Sequence, residues 1–153
     1  MITKATAKKI LGEMPLTAEA YWHFRQGGKP PRTGFKLDQL QVRLPALISQ
    51  AEQAAQRVSP GKNVLIFCTL HFWISHGTVL GLALAGQGHS VTLAYLPYSN
   101  SSEQINKFDL RRQNLYARDV LQEASPLMQF VSFLDKGSPV NGFPDELREK
   151  VDQ

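Results

Sequence analysis

Two histidines, five residues apart, stand where an α/β protein commonly does its chemistry. His71 and His76 follow the apolar run Val64-Leu65-Ile66-Phe67-Cys68 and lead into a helix-forming stretch. An imidazole titrates near neutral pH, so it can take a proton from a hydroxyl group. A helix N-terminus lowers that pKa and keeps the ring uncharged. The free backbone N–H groups there can hold a phosphate or a sugar hydroxyl. The alternative for each histidine is a hydrogen-bonded structural role. No acid lies beside the pair in sequence, and no metal site is expected. Cys68 closes the apolar run, where packing is its expected role and nucleophilic catalysis the alternative.

The elements around the pair set the fold. Val64–Cys68 reads as a strand buried on both faces, as parallel strands are. Residues Trp73 to Ala85 read as a helix, stopped by Gly86-Gln87-Gly88 with a glycine suited to a left-handed cap. Ser90-Val91-Thr92-Leu93-Ala94-Tyr95-Leu96 reads as a second strand, ended by Pro97. Short connections make the pair parallel, with a right-handed crossover. A charged helix at about Glu103–Glu123, capped through Ser101 and Gln104, leads to a third strand at Met128–Leu134 and a final helix at Pro144–Val151. Upstream, Lys4–Leu11 and Thr17–Arg25 read as helices. The stripe Leu37, Leu40, Leu44, Leu47, Ile48, Ala51, Ala55 has helical spacing, with a break near Leu44 where Pro45 intervenes. The expected fold class is α/β: a Rossmann-like three-layer arrangement with a small parallel sheet of about three strands and extra N-terminal helices. The division is 1–61, a helical extension packed on the core, and 62–153, a Rossmann-like unit expected to be the first part of a longer protein.

In such a sheet, ligands bind at the carboxyl ends of the strands. Here those ends are Thr69 to Gly77 and Pro97 to Ser102, both read as loops. Thr69, Trp73, Gly77, Tyr98 and Asn100 are the candidate substrate contacts, beside His76 and His71. The first loop lacks the G-x-G-x-x-G of dinucleotide sites, and Leu96-Pro97-Tyr98 offers no acid to hold an adenosine ribose. NAD and FAD are therefore not expected, and no P-loop sequence is present.

Charge is distributed unevenly. Up to Lys62 the chain carries ten Lys and Arg against four acids, from Asn63 to Ser102 it carries neither, and from Glu103 on it has nine acids against seven bases. The basic front reads as a solvated surface, and no nucleic-acid partner is expected. Lys107, Arg111, Arg112 and Arg118 likewise read as a solvated helix face, with a phosphate grip as the alternative. The uncharged middle is long enough to span a bilayer, but His71, His76, Gly77, Thr78 and Gly81 interrupt it and no basic belt follows. No transmembrane segment is expected. One cysteine and the lack of a secretory signal fit a cytoplasmic protein.

The run Lys62-Asn63-Val64-Leu65-Ile66-Phe67, then His76, then Leu80-Gly81-Leu82-Ala83-Leu84-Ala85-Gly86-Gln87-Gly88-His89-Ser90-Val91-Thr92-Leu93 resembles the start of the N-terminal domain of two-domain GT-B glycosyltransferases. The resemblance covers about Lys62 to Leu96. It implies that a histidine of the first loop acts as base on the acceptor hydroxyl; His76 is the matching residue and His71 the alternate. It also implies a sugar or lipid-linked acceptor on this segment. No cofactor would be bound by this segment itself; the nucleotide sugar would arrive only with a second domain. Two departures stand against the family pattern: sixty residues precede the first strand, and the chain has no room for a donor domain. The rival reading is a non-catalytic Rossmann-like interaction or regulatory module, with the basic N-terminal helices binding a partner; a second domain or another copy of the chain is the expected protein partner.

Overall fold

The computed structural model of the chain describes residues 3–56, 58–100 and 106–135. Helix α1 (Lys4–Glu13) is capped by Thr3, whose hydroxyl accepts from the Thr6 N–H at 3.2 Å. Helix α2 (Thr17–Tyr21) runs into a π turn at Trp22–Gln26, closed by Gly27 in the left-handed region. Helix α3 (Asp38–Ala55) is followed by strand β1 (Asn63–Leu70), helix α4 (His71–Gly86) and strand β2 (Ser90–Tyr98). Helix α5 (Lys107–Leu121), a 3-10 turn (Gln122–Ala124) and strand β3 (Met128–Ser132) complete the described chain.

The three strands form one parallel sheet in the order β1-β2-β3. This is the expected α/β, Rossmann-like arrangement. Both crossover helices, α4 and α5, lie on one face, as right-handed connections to successive neighbours require. The N-terminal helices stack on them, α3 against α4 and α1 and α2 against α5.

Side-chain alternation sorts the strands. Ile66, Cys68, Val91 and Leu93 meet the α4 glycines. A Cβ on Gly77 would lie 2.7 Å from Cys68 Sγ and 2.8 Å from Leu93 Cδ1. The missing Cβ lets α4 sit close on the sheet, and Ile74, Leu82 and Leu93 are fully enclosed around that contact. The same helix ends as its glycines predict. Gly88 has φ of 86°, Gly88 N–H donates to Ala85 O and His89 N–H to Leu84 O, the paired bonds of a Schellman end. The His89 ring then accepts from the Lys62 backbone N–H at 3.0 Å, fixing the start of β1 beside the start of β2.

Several expectations are corrected. Strand β1 is not buried on both faces: Leu65 and Phe67 are each 56% exposed and Phe133 is 60% exposed. No described helix covers that side. Phe67 and Phe133 meet edge-on, 5.4 Å apart, above Ala94, the strand partner of Phe67. Pro45 does not break α3, because it lies on the exposed side, where the carbonyl it leaves without an N–H partner meets water. Pro97 does not end β2. The register slips there, with two residues of β2 between the pairs Cys68–Tyr95 and Leu70–Tyr98 against one of β1. Such a bulge accommodates a residue lacking an N–H. The helix placed at about Glu103–Glu123 begins at Lys107, capped by Asn106, which accepts from the N–H groups of Phe108 and Asp109. Ser101, Gln104 and the final helix at Pro144–Val151 lie outside the described residues.

The basic face of α5 is solvated at Lys107 and Arg118, as expected, but not at Arg111 and Arg112. Asp109 accepts from Lys8 at 2.6 Å and also pairs with Arg112. Arg111 pairs with Glu19 and donates to Met14 O at 2.7 Å. Arg112 lies over the Tyr21 and Phe108 rings, its carbon 5.1 and 5.0 Å from their centroids. These contacts fasten α1 and α2 to the core. Asp109→Ala would leave Arg112, whose side chain is 9% exposed, without its carboxylate. We expect a loss of about 3 kcal/mol in urea unfolding. Lys107→Ala, which breaks the exposed pair with Glu13, costs less than about 1 kcal/mol. Equal costs for the two variants would contradict this assignment.

Candidate functional site

Strand β1 passes into α4 with no loop between them. The expected loop Thr69–Gly77 is instead the last two residues of a strand and the first two turns of a helix. The reason is visible at Leu70, which holds an extended backbone at the N-cap position and supplies no capping side chain. His71 thus opens the helix, at the carboxyl end of the sheet. His76 follows one turn later.

Both histidines line a cavity of about 460 Å³ between the starts of α3 and α4. Phe72, Ser75, His76 and Val79, spaced i, i+3, i+4, i+7, form the α4 wall. Lys36, Asp38 and Arg43 come from the opposite wall. The two walls are held together farther along, where Gly86 approaches Ala51 so closely that a Cβ would lie 3.2 Å from the Ala51 Cα.

The two rings differ in setting. His71 is half-buried, 5.8 Å from the Phe35 ring and 5.5 Å from the Phe72 ring. Burial lowers its pKa, the positive charge of Lys36 lowers it further, and a hydrogen bond with the Ser99 backbone opposes both. Its Nδ1 is buried and has no hydrogen-bond partner among the described residues. His76 is exposed, with its ring 6.0 Å from that of Trp73. A half-buried, tethered ring and an exposed ring therefore stand on the same cavity.

A second cavity, of about 250 Å³, lies at the carboxyl end of β2. Tyr98, Ser99 and Asn100 line it, opposite Arg32 and the start of α5. Ser99 joins the two places, lining the smaller cavity and bonding the His71 ring of the larger one.

The structure therefore brings His71 and His76 together, and Tyr98 and Asn100 together, in adjoining cavities. Thr69, Trp73 and Gly77 line neither. Thr69 is half-buried at the end of β1, Trp73 is exposed on α4, and Gly77 packs on Cys68 and Leu93. Cys68 is buried and its thiol pKa is raised by burial, which suits packing and not nucleophilic attack. Sequence reasoning missed Lys36, Asp38, Arg43 and Ser75. The available signal was the flank of the α3 stripe: Lys36 just precedes the helix and Arg43 lies on it, beside Leu40, Leu44 and Leu47.

It also missed a polar cluster under the third strand. Ser132 donates to Asn114 Oδ1 at 2.6 Å and Asn114 donates to Asp135 at 2.9 Å. Tyr95 bonds the same Ser132, and its phenol pKa is pushed up, chiefly by burial. Every member has a partner, so the cluster reads as a support for the sheet end.

Among the described residues no three His, Cys, Asp or Glu side chains gather as a metal group, and no helix is long and apolar enough to cross a membrane. Comparison with protein-family models, with curated proteins and with solved structures finds no match.

Proposed function

We propose that this chain is the acceptor-side domain of a sugar-nucleotide-dependent glycosyltransferase. The observation that carries the reading is the pair of histidines on one cavity at the carboxyl end of a parallel strand, the ligand-binding end of such sheets. His76 is the group assigned to the acceptor. Its ring is accessible from the cavity, whereas His71 is enclosed by Phe35 and Phe72 and tied to Ser99. The His76 imidazole takes the proton of the acceptor hydroxyl. The acceptor oxygen then bonds to the anomeric carbon of the donor sugar as the bond from that carbon to the leaving phosphate breaks, releasing a nucleoside diphosphate. His71 positions the start of α4 against the end of β2. Tyr98 and Asn100 line the approach beside it. The acceptor is a sugar or a lipid-linked alcohol, and the nucleotide sugar is held by a second domain.

The test is turnover by the gene product carrying that second domain. Incubated with UDP-, GDP- and TDP-sugars, it should release nucleoside diphosphate only when an alcohol acceptor is added. Residues 1–153 alone should release none. Turnover by residues 1–153 alone would contradict the division of labour.

A second reading, an interaction module, draws on the uncovered sheet face with Leu65, Phe67 and Phe133. An exposed apolar patch of this kind commonly meets another protein surface. If this face joins two copies, Phe67→Glu should abolish a dimer seen by sedimentation of the wild type. A wild type that is monomeric, or a dimer that survives Phe67→Glu, would remove that form of the reading.

A further inference from the structure

We propose that the larger cavity takes an acceptor bearing an anionic group, a phosphate or a carboxylate, gripped by Lys36 and Arg43 while its hydroxyl faces His76. This rests on the acceptor reading above and deepens it. Lys36 and Arg43 line the cavity from one wall and His71 and His76 from the other. Neither cation takes part in a salt bridge among the described residues, whereas Lys8, Lys107, Arg111 and Arg112 all do. An unpaired Lys and Arg beside a histidine pair form a receptor for negative charge, and arginine adds a fork that matches two anion oxygens.

Lys36 lines the cavity near enough to the His71 ring for its charge to lower the ring's pKa. The single carboxylate of the lining is Asp38, in the first turn of α3, where the positive end of its own helix offsets it. Neither α3 nor α4 has a capping side chain at its start; Leu37 and Leu70 occupy those positions. Their first-turn N–H groups therefore add partial positive charge to the two cationic side chains.

The cavity volume, about 460 Å³, has room for a group of sugar-phosphate size. The anion would hold the acceptor at one end and leave its reacting hydroxyl free to meet the accessible imidazole.

The test uses residues 1–153 at fixed pH and low salt, with the imidazole Hε1 resonances of His71 and His76 followed by NMR. The probes are inorganic phosphate, glucose 6-phosphate, glucuronate and neutral glucose. Phosphate and glucose 6-phosphate should move both resonances in a saturable way, and glucose should move neither. A glucuronate response equal to that of glucose 6-phosphate assigns the site to carboxylates as well; none restricts it to phosphates. The Lys36→Gln/Arg43→Gln double variant should weaken binding by about tenfold or more, the loss expected for one charge-assisted hydrogen bond. Both residues are exposed, so the fold should survive, and far-UV circular dichroism checks it. Charge reversal, Lys36→Glu/Arg43→Glu, should abolish binding.

No response to any anion, an equal response to glucose, or unchanged affinity in the double variant overturns the proposal. The two readings fail separately. If phosphate does not bind while His76→Ala still stops transfer, the anion is wrong and the acceptor reading stands. If phosphate binds while His76→Ala transfers normally, the reverse holds.

Discussion

His76→Ala is expected to lower kcat for transfer by about 10²–10⁴-fold, the usual worth of a positioned general base, with the donor KM little changed. The expectation follows from the exposed His76 ring on the cavity, where the other imidazole, His71, is half-buried and tied to Ser99. His71→Ala acts differently. It removes the hydrogen bond to the Ser99 backbone and the ring packing on Phe35, so both binding and turnover should suffer. His71→Gln keeps a polar atom to bond Ser99 and should recover much of that loss, whereas His76→Gln should recover none. Steady-state kinetics on the four variants separates base from positioning group. A His76→Ala enzyme within twofold of wild type would remove His76 from the chemistry.

The largest expected effect on stability is at Gly77. Gly77→Val should cost about 3 kcal/mol or more. Helix and strand are both fixed at this point, and the added Cβ would strike Cys68 Sγ and Leu93 Cδ1, at 2.7 and 2.8 Å. A cysteine side chain is too short to swing aside. Gly81 is the control. A Cβ there would strike Met128, at 2.3 Å from its terminal carbon, but a methionine end can move. The gain in helix propensity from glycine to alanine, about 1 kcal/mol, further offsets that clash. Gly81→Ala should therefore lie within about 1 kcal/mol of wild type. In thermal unfolding this separates a fall of about 6–12 °C for Gly77→Val from little change for Gly81→Ala. Equal shifts would mean that α4 does not sit on β1 as described.

How much of this was legible in sequence depends on which residues carried the signal. The β1-α4-β2 unit was legible because its cues are local: an apolar run, a glycine that can turn left-handed at Gly88, and a second apolar run. The Gly88-His89 pair has a structural reason of its own, since the His89 ring holds the Lys62 backbone. The exact start of α4 was not legible. Leu70 is no capping residue, so the break between strand and helix left no mark. Pro45 and Pro97 misled because their effect depends on surroundings. One faces solvent, and the other falls where the ladder already slips. The openness of the far sheet face was hidden too. Leu65 and Phe67 belong to an unbroken apolar run, and only the tertiary arrangement tells which side has a partner.

The site divides in the same way. The histidines were legible from their position after a strand. Their opposite wall was not, because Lys36 and Arg43 reach the cavity only through the docking of α3 on α4. That docking depends on Gly86 and Ala51, residues with no chemistry to announce it. The charges of α5 were legible as charges, but their use was not. Arg111 and Arg112 find Glu19 and Asp109 through contacts between segments about ninety residues apart, or through the burial those contacts create.

An acceptor-side domain needs a donor domain, and the source DNA past the codon for Gln153 shows whether one is joined to it. The frame is expected to continue into a second α/β segment, with a glycine-rich loop and an acid able to hold a nucleotide ribose. A stop codon directly after Gln153 would contradict it and leave the interaction module as the standing reading.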